Sequence, residues 1–351
     1  MSELIKKHEA YKKKVAFRNT TIVLIFVSAL IVSFIVSMNT GHTKLSALDT
    51  LRTLFGGGTE KENVILFDFR LPRITLSILV GAGLALSGCT VQGVTKNALA
   101  DPGLLGISAG AGLMVILFTM FVGTASFLSV FTLPFLALLG AGLTAILIVV
   151  LAYKKTDGIA PMRLILTGVA MQAGISALTT VLVIKLDEEQ FDFVAVWRAG
   201  SIWGGDWRFV LALLPWLLIL IPYIIYNSRK LDVLSMSDDT AVSLGVSVVK
   251  QHRNMLFVSV ALAASCVSVS GSISFVGLIA PHLARRLVGS RHIILIPVCA
   301  LVGALLVSVA DTLSRVILPP AGLPTGIIVA IIGAPYFLYL LATDNQRTRR
   351  G

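Results

Sequence analysis

Thr20-Thr21-Ile22-Val23-Leu24-Ile25-Phe26-Val27-Ser28-Ala29-Leu30-Ile31-Val32-Ser33-Phe34-Ile35-Val36-Ser37-Met38 contains no charged residue. A helix needs about 20 apolar residues to cross a hydrocarbon core of roughly 30 Å, so this stretch has the length of a membrane span. It is too long for the apolar part of a secretory leader and no small-residue cleavage site follows it, so it reads as a span that is retained. Runs of the same kind recur along the chain. They fall near 20 to 38, 72 to 93, 102 to 122, 127 to 152, 161 to 184, 207 to 226, 255 to 270, 273 to 288, 293 to 314 and 323 to 342. With 351 residues, 56% of them hydrophobic and only 13% charged, and a mean hydropathy of +0.89, the chain is far more apolar than a soluble domain. The expected fold class is an all-α, polytopic transmembrane helical bundle.

Only Ser270-Gly271-Ser272 separates the seventh run from the eighth. Reading the two as one would leave nine spans and place the C-terminus outside. Charge favours ten, with both termini cytoplasmic. Twenty Lys and Arg then lie inside, among them Lys96, Lys154, Arg163, Arg253, Arg285 and Arg291, and nine lie outside, as loops retained in the cytoplasm require. A nine-span chain would put Arg347, Arg349 and Arg350 on the wrong side. The net charge of +11 follows from this arrangement and does not call for nucleic acid. The expected organisation is a basic cytoplasmic tail over 1–19, a ten-helix permease domain over 20–342 and a second basic tail over 343–351. The external connections 39–71 and 185–206 and the internal one, 227–254, are long enough to carry function.

No Gly-x-x-x-x-Gly-Lys-Ser/Thr phosphate loop occurs, and no glycine is followed by lysine. The energy for any transport must come from a partner or an ion gradient. Asp311 is the only carboxylate well inside an expected span, with Arg315 at i+4 on the same helix face. A structural pair and a proton relay are both open readings. Cys89, Cys266 and Cys299 sit in apolar runs and read as packing residues, while the five histidines are scattered, so neither a metal site nor a cofactor is expected. The serine-rich stretch Val267 to Ser274 admits an intramembrane hydrolase, but small residues at helical spacing are more often close-packing positions.

Phe69-Arg70-Leu71-Pro72-Arg73, then Gly81-Ala82-Gly83-Leu84-Ala85-Leu86-Ser87-Gly88 and Gln92, resemble permeases of the iron-siderophore and cobalamin ABC importers, the FecCD-type or type II importers. Lys96-Asn97-Ala98-Leu99-Ala100-Asp101-Pro102-Gly103-Leu104-Leu105-Gly106 is similar to that family's Arg/Lys-Asn-Pro-Leu-Ala-x-Pro-x-x-Leu-Gly, with Ala98 in place of the proline. The resemblance continues through Trp197-Arg198-Ala199-Gly200-Ser201, the segment from Leu234 to Gly245, and Phe275-Val276-Gly277-Leu278-Ile279-Ala280-Pro281-His282-Leu283-Ala284-Arg285. It ends with Ala310-Asp311, Leu323-Pro324-Thr325-Gly326 and Ile332 to Phe337. These pieces keep the family's order over nearly the whole chain.

The resemblance implies a multi-pass permease in a bacterial plasma membrane that works as a homo- or heterodimer. Its implied partners are cytoplasmic ABC ATPase subunits and an extracytoplasmic siderophore-binding protein or lipoprotein. It implies that Arg70, Arg73 and Arg315 form an exposed basic rim that docks the binding protein. Pro72 is expected to impose an extended approach to the second span. Gly322 stands where the family commonly has a glutamate, so pairing of Arg315 with Asp311 would compete with docking.

Between Asn227 and Asn254, Leu231, Leu234, Ala241, Leu244 and Val248 form an amphipathic pattern, with Ser237, Asp238 and Asp239 able to cap a helix start. By resemblance this segment, through Gly245, couples to the ATPase. The cytoplasmic gate is implied at Ala160-Pro161-Met162, and His282 reads as a capping or inter-helix hydrogen bonder. A siderophore wraps its iron in its own oxygen ligands, so the permease need not bind metal. Cobalamin and haem also arrive with their metals enclosed and remain alternatives, and an ion-coupled secondary transporter is the rival from another class.

Overall fold

A computed structural model of the chain describes every residue except 1, 42–45, 123–128, 155–157, 160, 203–205, 318–321 and 349–351. The helices run in the order α1 (Ser2–Asn39), α2 (Ala47–Leu54), α3 (Glu60–Asn63), α4 (Leu71–Thr95), α5 (Ile107–Val122), α6 (Ser129–Ala152), α7 (Pro161–Val183) and α8 (Glu188–Arg198). They continue as α9 (Trp207–Tyr226), α10 (Ser228–Leu234), α11 (Asp238–Ser243), α12 (Val248–Ser270), α13 (Val276–Val288), α14 (His292–Ile317) and α15 (Thr325–Thr348). A two-residue strand pair, Tyr153–Lys154 with Gly158–Ile159, links α6 to α7.

Among the described residues, seven helices are long and apolar enough to cross a membrane: Ala10–Asn39, Glu60–Thr95, Thr132–Ala152, Leu166–Val183, Trp207–Tyr226, Val248–Ser270 and His292–Ile317. The expected spans at 102 to 122, 273 to 288 and 323 to 342 correspond to the shorter α5, α13 and the apolar part of α15. The third begins later than expected, because Pro102–Leu105 is a 3-10 turn and Gly106 reverses the chain at φ +72°. Gly271 (φ +65°) and Phe275 (φ +69°) bracket the break between α12 and α13, so one continuous helix from 255 to 288 does not form.

Helix α4 is the axle of the bundle, surrounded by α9, α12, α13 and α14. Lipid tails are as apolar as leucine, so membrane helices associate through close packing and inter-helix hydrogen bonds. Both are present. A Cβ on Gly88 would overlap the Gly277 carbonyl, and one on Gly81 would overlap that of Gly303. Ser87 Oγ donates to the Ser259 carbonyl at 2.6 Å, and Ser259 Oγ returns a bond to the Ser87 carbonyl at 2.8 Å. The three cysteines are buried and free, as packing residues. The outer helices turn large apolar side chains away from the bundle, including Leu143 and Val150 of α6 and Leu218 and Ile219 of α9.

The approach to α4 is helical, contrary to the extended path expected before Pro72. The α3 helix passes through a π-helical segment, Val64–Arg70, directly into α4. There Leu71 N–H donates to the Leu66 carbonyl. In that i→i−5 register the next donor would serve the Phe67 carbonyl, and Pro72 has none. Trp207 Nε1 supplies it, at 2.8 Å.

Candidate functional site

Polar groups gather at the two ends of α4, which are separated by about 37 Å at ~1.5 Å per residue. At the Leu71 end, Asp311 of α14 is almost fully buried and accepts from Arg73 Nε at 3.0 and 3.2 Å. Its oxygens also lie 2.9 Å from Arg73 Nη2 and 3.3 Å from Arg315 Nε, and accept from Thr325 Oγ1 at 3.2 Å. Arg70 Nη1 donates to the Met38 carbonyl; Arg315 donates to Ser37 Oγ and, at 3.1 Å, to the Thr40 carbonyl. The final carbonyls of α1 lack intrahelical donors, and arginines supply them.

The expected exposed rim is therefore corrected in its geometry. The three arginines converge, but Arg70 is 5% exposed, and the Arg73 and Arg315 side chains are 19% and 12% exposed. The pairing of Asp311 with Arg315 is present. Its shorter pairing with Arg73, from a helix 238 positions away, escaped sequence reasoning.

Two of the motif segments and the end of α12 meet beside this node. Gly200 (φ +79°) ends α8 and accepts from Gly326 N–H at 2.8 Å, while Ser201 N–H donates to the Ser270 carbonyl at 2.9 Å.

At the Thr95 end, Arg285 Nη1 donates to Gln92 Oε1 at 2.7 Å, and Gln92 Nε2 donates to the Gly277 carbonyl at 3.2 Å. This ties α13 to α4. Asn97 Oδ1 accepts from Leu99 N–H at 2.9 Å, and Asp101 Oδ1 accepts from Gly103 N–H at 3.0 Å, capping the Pro102 turn that Gly106 ends. Burial pushes the Asp101 carboxyl up, against the pull of the Gly103 N–H. Pro281 lies inside α13, and His282 sets its ring edge-on to Tyr336 of α15, centroids 6.1 Å apart.

The 227–254 segment folds as two short helices rather than one. Leu231, Leu234 and Ala241 are buried as the pattern required, whereas Leu244 is exposed and Val248 opens α12. Ser237 caps α11, accepting from Thr240 N–H at 3.3 Å, with Asp238 and Asp239 in its first turn. Gly245, at φ +78°, closes the helix: its N–H reaches the Val242 carbonyl and that of Val246 reaches Ala241.

One ion pair and one hydrogen-bonded Asp–His contact anchor this elbow. Lys96, the left-handed cap of α4, places Nζ 2.8 Å from Asp238 Oδ1. The Lys96 hydrogen bond, more than its charge, holds the Asp238 carboxyl below the usual range. Asp232 Oδ1 accepts from His292 N–H at 2.8 Å and lies 2.7 Å from His292 Nδ1, joining α10 to α14. Neither pair was legible in the sequence. Met236, Val242 and Leu244 of this elbow are exposed, as is Val249 in the first turn of α12. Of the expected gate, Ala160 lies outside the described residues, and Pro161 and Met162 open α7.

Small-residue contacts around a central span and polar nodes at both its ends define a multi-pass helical membrane protein. The chain belongs to the FecCD transport family, which it matches over residues 29–343. It is 48% identical over 320 residues to the iron(3+)-hydroxamate import system permease protein FhuG of Bacillus subtilis (strain 168), covering 90% of this chain and 95% of that protein. It is 41% identical over 277 residues to the Fe(3+) dicitrate transport system permease protein FecD of Escherichia coli (strain K12), covering 79% and 85%. A metal-chelate type ABC transporter solved in an inward-facing conformation matches with a TM-score of 0.80 and 31% identity, over 92% of this chain and 99% of that one. The chain is thus a non-catalytic permease subunit of an ABC-type metal-chelate importer.

Proposed function

We propose that the chain is the ten-span membrane subunit, with both termini cytoplasmic, through which a bacterial ABC importer passes a ferric siderophore inward. It works as a dimer of permease subunits, fed by an extracytoplasmic binding protein and driven by separate ATPase subunits. The observation that carries this reading is the α10–α11 elbow, tied by Lys96–Asp238 and Asp232–His292 to α4 and α14 while its Met236, Val242 and Leu244 side chains are exposed. A short helical element with exposed apolar side chains and polar ties to two long helices suits the transmission of a push from an ATPase. Leu234, Ser237, Asp238, Asp239, Ala241, Leu244 and Gly245 form it.

At the opposite end, the guanidinium groups of Arg73 and Arg315 share the one carboxylate of Asp311, with Arg70 close by, giving this end a positive field. Such a field steers acidic lobes of a binding protein even where the charges are partly buried, and acts mainly on the association rate. Ala160, Pro161 and Met162 are assigned to the cytoplasmic gate. The relatives carry hydroxamate and citrate chelates of iron by their names, which favours a ferric chelate over cobalamin or haem.

The test is uptake of a labelled ferric hydroxamate into proteoliposomes holding the permease, its ATPase and the binding protein. ATP-dependent uptake is expected. Uptake driven by a proton gradient without the ATPase would reject the proposal.

A further inference from the structure

Between α6, α9 and α12 lies a groove of about 410 Å³ whose lining is apolar apart from one residue, Arg253. Small residues on α6 and α12, Gly142, Ala145, Ala261 and Ala264, hollow it out, and Trp216 and Phe257 flank it. Small residues in membrane helices normally allow backbones to close on each other. Beside Gly142 they do not close: a Cβ placed there would meet nothing within 4 Å. An apolar gap of this size loses dispersion contacts unless something fills it. Along α12, the distance from Arg253 to Ala264 is about 16 Å at ~1.5 Å per residue. That is the depth of one leaflet, half of a hydrocarbon core of roughly 30 Å. Arg253, at one end of the lining row on α12, is exposed, and among the described residues no hydrogen bond or ion pair engages it.

We propose that this groove binds one acyl chain of an anionic glycerophospholipid, whose phosphate is received by Arg253. The length fits a single leaflet, and the lone guanidinium at one end complements a headgroup phosphate, as basic pockets between spans do. Apart from Arg253, the one side-chain donor among the lining residues is the Trp216 indole N–H, so the wall suits an acyl chain better than a polar metal chelate. The leaflet is the cytoplasmic one under the topology proposed above; the site itself does not depend on that topology.

Trp216 is a built-in reporter. The permease–ATPase complex is placed in nanodiscs containing phosphatidylglycerol or phosphatidylcholine with brominated chains, and the Trp216 signal is obtained by difference from Trp216→Phe. Half-quenching is expected at roughly five-fold less brominated phosphatidylglycerol than phosphatidylcholine, the preference one basic side chain confers at an anionic surface. Arg253→Ala should erase that preference, and Gly142→Leu, by filling the groove, should reduce quenching by both lipids. Equal quenching by the two headgroups in the parent complex would reduce the site to ordinary lipid solvation and overturn the proposal. No quenching by either lipid would mean that protein covers the groove, and would overturn it as well.

Discussion

One oxygen of Asp232 holds the first residue of α14 twice, accepting from the His292 backbone N–H at 2.8 Å and lying 2.7 Å from its ring Nδ1. A carboxylate can only accept, so Nδ1 carries the ring proton whether or not the imidazole is charged. Because α14 lies along the central helix α4, a displacement of α10 is delivered to the middle of the bundle through this contact.

Asp232→Ala is expected to leave ATP hydrolysis by the assembled importer intact while lowering the ratio of chelate transported to ATP consumed. Losing the two bonds should also cost about 1–3 kcal/mol of stability. Paired uptake and phosphate-release assays check this; an unchanged ratio would remove the transmission role.

Asp311→Ala should be among the most damaging changes at the other node, because it strands Arg73 and Arg315 in a largely buried setting. Removing one partner from such a cluster costs about 3–5 kcal/mol. Thermal unfolding in detergent is the measurement, and adding Arg73→Ala should recover part of the loss. Full stability in the single variant would show that the guanidinium groups find other partners.

Gly88→Ala drives a Cβ into the Gly277 carbonyl and is expected to destabilise by about 1–3 kcal/mol. At Gly174 of α7 an added Cβ meets nothing within 4 Å, so Gly174→Ala should be neutral or slightly stabilising. Equal effects of the two changes would contradict the α4–α13 packing.

Trp207→Phe deletes the donor to the Phe67 carbonyl and should cost about 0.5–1.5 kcal/mol. Pro72→Ala restores an N–H in the register of that carbonyl, so the double variant should be less impaired than Trp207→Phe alone. An additive loss in the double-mutant cycle would argue against the shared acceptor.

The pH response of the Lys96–Asp238 pair follows from its sign. Its carboxyl is held below the ordinary range, first by the Lys96 hydrogen bond. The stabilisation is therefore fully present above the unfolded carboxylate value of about 3.9 and is lost as pH falls through the lower, folded value. No dependence of coupling on this pair is expected between roughly pH 6 and 8. Because Asp238 is exposed, the effect should be small and weakened by salt. Lys96→Met should return the carboxyl to its ordinary range in a titration of labelled aspartate; no movement would disprove the assignment.

Local signals were readable where the chemistry is local. The Ser270-Gly271-Ser272 break appears at Gly271 because only glycine adopts that backbone angle easily. Leu231 and Leu234 are buried because their i, i+3 spacing puts them on one face of α10, while Ala241 is buried from the separate helix α11. Pro72 misled, because its restriction on the preceding residue gave way to a π-turn whose stranded carbonyl Trp207 satisfies. The arginines misled in another way: charge and position marked them as exposed, while the unfilled carbonyls at the end of α1 drew them in.

Composition and the length of its uncharged runs determined by themselves that this chain is a helical membrane protein, because a hydrocarbon core admits only backbone that satisfies its own hydrogen bonds. The ordered glycine-rich and polar motifs placed it in its family. Which arginine meets Asp311, which residue of α14 holds the α10–α11 elbow, and where the helices leave an apolar groove were decided by the tertiary structure alone. Those contacts join residues far apart in the chain, and nothing in local spacing encodes which distant side chain a packed bundle will bring within 3 Å.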